Sequence, residues 1–244
     1  MASPSPAAPD SFVRRFRWPI AVAVALVLAV TAGPFVYINF IKAEPAERLS
    51  LDDLGTSTTS STAATGSEPT ADGIDGSWTI TDQSLVQYRI QETLAGQDTE
   101  ATGAADGISG TAEISGTTVS AVDVEVDMTT FASDESRRDG QFQGRIMETG
   151  QFPTATFTLT EPIDLGDLPK VAEEITVEVT GDLTMHGVTN SITFELVAKL
   201  SGATFAVNAT IPITFTDYGI DDPSGGPATV GTDGELELLL VFAR

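Results

Sequence analysis

A period of two on either side of one short joint constrains this chain more than any other feature. Ile175, Val177, Val179, Leu183 and Met185 share one phase, while Glu174, Thr176, Glu178, Thr180, Asp182 and Thr184 take the other. After Met185-His186-Gly187 the alternation resumes, with Val188, Ile192, Phe194, Leu196, Ala198 and Leu200 apolar and Thr189, Ser191, Thr193, Glu195 and Lys199 polar. Successive side chains on a strand point to opposite faces, so each run reads as a strand with one buried and one wet face. Gly187 supplies the permissive backbone of a tight turn, which makes the pair a β-hairpin. Arms of about eleven residues are long for globular strands. They suit a tall, curled sheet with an apolar inner face.

The same alternation recurs from Trp78 onward. Trp78 and Ile80, then Val86, Tyr88 and Ile90, form a first strand or bent pair; Ile108, Ala112 and Ile114 follow. Val122, Val124, Val126 and Met128 alternate with Asp123, Glu125 and Asp127. Ala155, Phe157 and Leu159 precede the hairpin, and Phe205, Val207, Ala209, Ile211, Ile213 and Phe215 come after it. The last run, 235–242, ends apolar on both faces. This predicts an all-β domain of about eight antiparallel strands with Gly-rich turns. Eight strands closed on themselves leave an interior for side chains or one small ligand. Pro212 cannot donate to a ladder and predicts a bulge or local edge. Ser133 to Phe152 departs from the pattern. Ser133 is a candidate cap, with Asp134 and Glu135 favourable in a first turn, and Gly140 and Gly144 limit the segment to one or two short helices. Its apolar residues Phe142, Ile146, Met147 and Phe152 are expected to bury at an end of the barrel.

The composition excludes several chemistries. With no Cys and one His, neither thiolate nor paired-histidine metal sites are available. From Trp78 onward 27 acidic residues face seven basic ones, a surface that repels phosphate backbones, so no nucleic-acid partner is expected. No Gly-x-Ser-x-Gly elbow or metal-ligand cluster is present, and an enzyme is not expected. The carboxylates of Asp123, Glu125 and Asp127 read as a solvated outer face, with a calcium site as the alternative, and Asp221-Asp222-Pro223 as a turn. The sequon Asn208-Ala209-Thr210 lies inside an expected strand.

The region before the barrel divides by composition. Residues 1–17 are Pro/Ser/Ala-rich and then basic, and read as a cytoplasmic tail. Residues 18–41 contain no charge, enough length for one transmembrane helix. Its Val, Leu, Ile and Phe residues sum to roughly −4 to −7 kcal/mol on an insertion scale. Arg14, Arg15 and Arg17 place the preceding end in the cytoplasm, with Trp18 and Tyr37 as interfacial anchors. A cleaved signal peptide with an apolar core at 20–30 is the alternative. Residues 42–76, with a Ser/Thr run at 57–62, read as a disordered linker of roughly 30 Å reach. The domain at 77–244 would then lie outside the cytoplasm, at the cell membrane.

Several segments carry a family resemblance. They are Thr129-Thr130-Phe131, Arg138-Asp139 with Phe142, and Gly150-Gln151-Phe152-Pro153-Thr154-Ala155-Thr156-Phe157. Gly181-Asp182-Leu183-Thr184-Met185-His186-Gly187-Val188-Thr189 and Phe215-Thr216-Asp217-Tyr218-Gly219-Ile220 complete the set. Together they resemble the YceI-like lipid-binding family over about residues 77–244. The resemblance implies a lipocalin-like antiparallel barrel that binds an amphiphile such as a polyisoprenoid in its lumen, with no other cofactor. Gln83, Gln91-Glu92 and Thr216 stand where the family often carries two His and an Arg, so the head-group contact is altered here.

Candidate lumen and rim residues are Trp78, Tyr88, Phe131, Arg138, Asp139, Phe142, Ile146, Phe152, Phe157, His186, Phe194, Phe205 and Phe215. Two readings stand for His186, a turn residue capping backbone groups or a head-group contact. Arg138 either pairs with Asp139 to fix the helical segment or faces a phosphate. The competing architecture is a structural or interaction domain of the cell envelope whose core is filled by Trp78, Tyr88 and the Phe residues, with no ligand.

Overall fold

The computed structural model describes residues 44–52, 74–166, 173–201, 203–226 and 228–244, together with Val22. The expected membrane span and cytoplasmic tail, 1–41, otherwise lie outside the described residues, as does most of the expected linker. Among the described residues no helix is long and apolar enough to cross a membrane.

The strands are β1 (Gly76–Ile80), β2 (Leu85–Leu94), β3 (Gln97–Ala105), β4 (Ile108–Ser115), β5 (Thr118–Asp127), β6 (Ala132–Ser133) and β7 (Thr154–Leu159). After these come β8 (Ile163–Asp164), β9 (Glu174–Met185), β10 (Val188–Ser201), β11 (Thr204–Thr214), β12 (Ala228–Val230) and β13 (Asp233–Ala243). All belong to one antiparallel sheet. The order β1-β4-β5-β7-β9-β10-β11-β13 closes on itself where Thr79 and Ile80 pair with Ala243 and Phe242. This is the eight-stranded barrel expected from the alternation. β2 and β3 extend the wall from the middle of β13, where Leu236 faces Tyr88 in register.

The β9–β10 hairpin pairs twelve residues on each arm, from Met185↔Val188 to Glu174↔Lys199. Its turn places both His186 (φ 52°) and Gly187 (φ 77°) in the left-handed region, the geometry of the tight turns that match strand twist. Pro212 lies beyond the last β10–β11 pair at Ala209, where β11 has a neighbour on one side only. It therefore marks the expected local edge.

Among the described residues of the domain, an α-helix, α1 (Ser136–Gln141), runs into a π-helical turn at Phe142–Ile146. Its start corrects the expected cap. Glu135 is the N-cap residue and makes no side-chain cap bond, while Ser133 belongs to β6 and its hydroxyl bonds the Asp139 carboxylate at 2.6 Å. This segment closes one end of the barrel. Arg145 donates to the carbonyls of Asp222 (3.1 Å) and Pro223 (2.6 Å). His186 fastens the following turn to Glu148, whose own φ is 44°.

Residues 44–52, part of the expected disordered linker, lie along the outside of the barrel. Leu51 is buried against Ala206, Leu239 and Val241. The composition gave no sign of this, because the contacts are made mostly to backbone.

Candidate functional site

The apolar phases of the strands point inward and do not meet. They surround a chamber with a cavity volume of about 180 Å³. Its lining is aliphatic and aromatic apart from Thr156 and Lys199. Phe157 and Phe194 meet edge to face at 5.7 Å on one side, and Phe205 stacks on Phe242 at 4.5 Å on another. A second chamber of about 360 Å³ lies toward α1. Met128, Phe131, Met185 and Leu236 border both chambers and form the waist between them. At roughly 30 Å³ per water-sized group, the two together have room for on the order of twenty such groups.

The second chamber has the polar groups. Glu92, Asp134, Glu135, Arg137, Arg138 and Glu235 stand on its border, four carboxylates against two guanidiniums. Arg138 pairs with Asp134 and, at 3.7 Å, with Glu92. Burial opposes its charge, but the hydrogen bond and charge of Asp134, helped by Glu92, prevail and hold the guanidinium above its ordinary pKa. Arg138 is thus paired, though not with the expected Asp139, whose carboxylate binds Ser133 N (2.8 Å) and Oγ. Tyr88 stacks on Phe142 with ring centroids 5.2 Å apart, and burial pushes its hydroxyl up to about 12. That ring lies flat over Gly103, where an added Cβ would come within 2.6 Å of it. Only glycine permits this approach.

The structure therefore divides the candidate residues. Phe157, Phe194 and Phe205 line the far chamber, Tyr88, Arg138, Phe142, Ile146 and Phe215 line the mouth, and Phe131 sits at the waist. Trp78, Asp139, Phe152 and His186 border neither chamber. Trp78 is buried against Phe205, its indole N–H donates to Ile74 O at 2.8 Å, and the Arg244 guanidinium covers its ring. Phe152 packs edge-on against His186 at 4.7 Å. His186 contacts the Tyr218 carbonyl through Nδ1 (3.1 Å) and Glu148 through Nε2 (3.2 Å), so here it serves as a turn fastener. Glu92, which the family resemblance had set at an altered head-group position, does reach the mouth, while sequence reasoning missed Asp134, Glu135 and Arg137 there. It also missed the methionines at the waist, although Met128 and Met185 do end inward-facing phases.

A second built region lies on the outer wall. Glu237, 1% exposed, accepts from Arg89 Nε (2.8 Å) and Arg48 Nη1 (2.8 Å) on one oxygen. Its other oxygen accepts from Gln87 Nε2 (2.9 Å) and Leu49 N (3.4 Å). Arg89 also reaches Glu100 (2.7 Å) and the Ala46 carbonyl (2.7 Å). Burial again works against the Arg89 charge, and the bonds to Glu237 and Glu100 raise its pKa nonetheless.

Comparison with known proteins places this geometry among relatives. The sequence profile of the YceI-like domain matches residues 78–242. A stretch of 85 residues is 40% identical to a UPF0312 protein of Vibrio vulnificus, covering 34% of this chain and 40% of that protein. Over 125 residues the chain is 29% identical to a UPF0312 protein of Pseudomonas putida, covering 48% of this chain and 62% of the other. The matches thus span less than two thirds of these relatives' length. Among solved structures, a polyisoprenoid binding domain from Saccharophagus degradans, implicated in plant cell wall breakdown, superposes with TM-score 0.56 at 19% identity, over 68% of this chain and 98% of that one. Burkholderia cenocepacia BcnA superposes with TM-score 0.53 at 17% identity, over 66% and 98%. At these identities the likeness is one of fold.

Proposed function

The chain belongs to the YceI-like domain family, and from that premise we propose that its barrel holds one amphiphile of polyisoprenoid type. The tail occupies the far chamber and the head the mouth under α1. The observation that carries this reading is the lumen itself, an apolar far chamber and a second chamber that share Met128, Phe131, Met185 and Leu236 as lining, with the charged groups gathered at the second. Burying a methylene is worth roughly 0.8 kcal/mol, so an aliphatic tail binds there through area alone. The polar end fixes which way round it lies. The same volume disfavours the competing reading of a filled, ligand-free core.

The protein acts as a carrier or sensor of lipid, not as a catalyst. Residues 18–41 anchor it in the cell membrane as a single span, with the barrel on the extracytoplasmic side. The sequence of 18–41 and the basic flank before it support that placement. Native mass spectrometry of the full chain extracted from membranes tests the ligand reading. A lipid-sized adduct is expected, together with saturable binding of a fluorescent isoprenoid. The absence of both sinks it.

A further inference from the structure

The groove on the outer wall is filled by residues 44–52, and their direction along it has a consequence for how the barrel sits. We infer that this docked strap holds the barrel against the bilayer with its charged mouth turned to the lipid. The inference rests on the reading of 18–41 as a membrane span.

The strap is recognised mainly through its backbone. Thr102 Oγ1 accepts from Ala46 N (3.2 Å), Arg89 donates to the Ala46 carbonyl, Gln87 to that of Glu47 (3.1 Å) and Asn208 to that of Leu49 (2.9 Å). Arg48 reaches Glu237 and Glu235 (2.7 Å), and Leu51 is the buried apolar contact. Its two ends lie at different heights of the barrel. Arg89 and Thr102, which hold Ala46, have Tyr88, Ile90 and Ala101 beside them on the lumen face, and all three line the mouth chamber. Leu51 rests on Ala206 and Val241, whose neighbours Phe205 and Phe242 line the far chamber. The strap runs from the mouth half to the far half, so the chain preceding it leaves the barrel at the mouth half.

The distances then decide between a free tether and a fixed one. From residue 41 to Ala46 the chain can span roughly 17 Å fully extended, against roughly 30 Å of reach for a free linker of the whole 42–76 stretch. The Ser/Thr-rich stretch after the strap adds nothing to that distance. Both of its flanks are held on the barrel, by the Leu51 contacts and by the Trp78 bond to Ile74.

Because the chain has no Cys, single labels report orientation cleanly. Ser136→Cys marks the α1 end and Ser201→Cys the opposite end, both at exposed positions. The full chain is reconstituted into phosphatidylcholine/phosphatidylglycerol vesicles containing a head-group nitroxide quencher. The label at position 136 should be quenched several-fold more than that at 201. Inserting a flexible segment of about twenty residues between Lys42 and Ala43, roughly 25 Å of r.m.s. reach, leaves the strap intact and should abolish the difference. Arg48→Ala with Leu51→Asp should abolish it as well. Equal quenching in the parent chain, or a difference that survives the insertion, overturns the inference. A chain that fails to float with vesicles removes the anchor and the orientation together, while the lumen reading still stands or falls by its lipid adduct. A chain that floats yet shows no difference loses the orientation alone.

Discussion

β13 turns Leu236 and Leu238 into an unfilled lumen, while on its opposite face Glu237, almost wholly buried, receives four hydrogen bonds. The two sides of one wall differ in chemistry and also in what that chemistry allows. Apolar contact is non-directional, so a lumen lined by it accepts an occupant that varies in shape. Matched charges and backbone bonds are directional, and a group left without its partner is costly. Fixed contacts are therefore on the outside and exchangeable ones inside.

Four changes test that contrast. The largest effect is expected for Glu237→Ala, which removes the shared acceptor of Arg89, Arg48, Gln87 and Leu49 and leaves Arg89 with Glu100 and the Ala46 carbonyl alone. Loss of one partner of a buried pair costs about 3 kcal/mol or more, read from urea denaturation, and a cost near zero would mean that water reaches the site. Next is Tyr88, whose folded pKa of about 12 lies above its unfolded value of about 10. As pH rises through that window the unfolded state loses its proton first, so stability is complete below pH 10 and falls by roughly 2 kcal/mol toward pH 12. Tyr88→Phe should remove this part of the alkaline loss while keeping the stack on Phe142. Third, Val124→Trp in the far chamber should weaken isoprenoid binding about tenfold, roughly 1.4 kcal/mol. The added ring should cost less stability than the ~1–3 kcal/mol of overpacking a solid core. A large loss of stability with unchanged binding would reverse the contrast. Smallest is Arg48→Ala, about 0.5–1 kcal/mol, since that side chain is 57% exposed.

What the sequence disclosed followed the same division. Alternation on β5, β9, β10 and β11 exposed the inward phase, and the Met185-His186-Gly187 joint set the hairpin register. The inward-facing aliphatics Val124, Leu183 and Leu236 were legible as a phase, yet aromatic residues drew attention first. Trp78 and Phe152 are packed against Arg244 and His186 instead of facing the cavity. Arg89 and Glu237 occupy the outward phase, where a charge ordinarily meets water, and nothing local marks them as a covered pair. The strap was illegible for a further reason. Its docking uses carbonyls and amides that every residue carries, so the information lies in Gln87, Arg89 and Asn208, far away in sequence. The mouth carboxylates Glu92 and Asp134 converge only after β2 and the segment before α1 meet.

The waist carries a chemical liability. Met128 and Met185, 5% and 8% exposed, border both chambers. Conversion of either to the sulfoxide would set a strong dipole against an otherwise apolar lining. On the proposed carrier role, oxidation would leave the barrel folded by its outer bonds yet less welcoming to an aliphatic tail, until the sulfur was reduced.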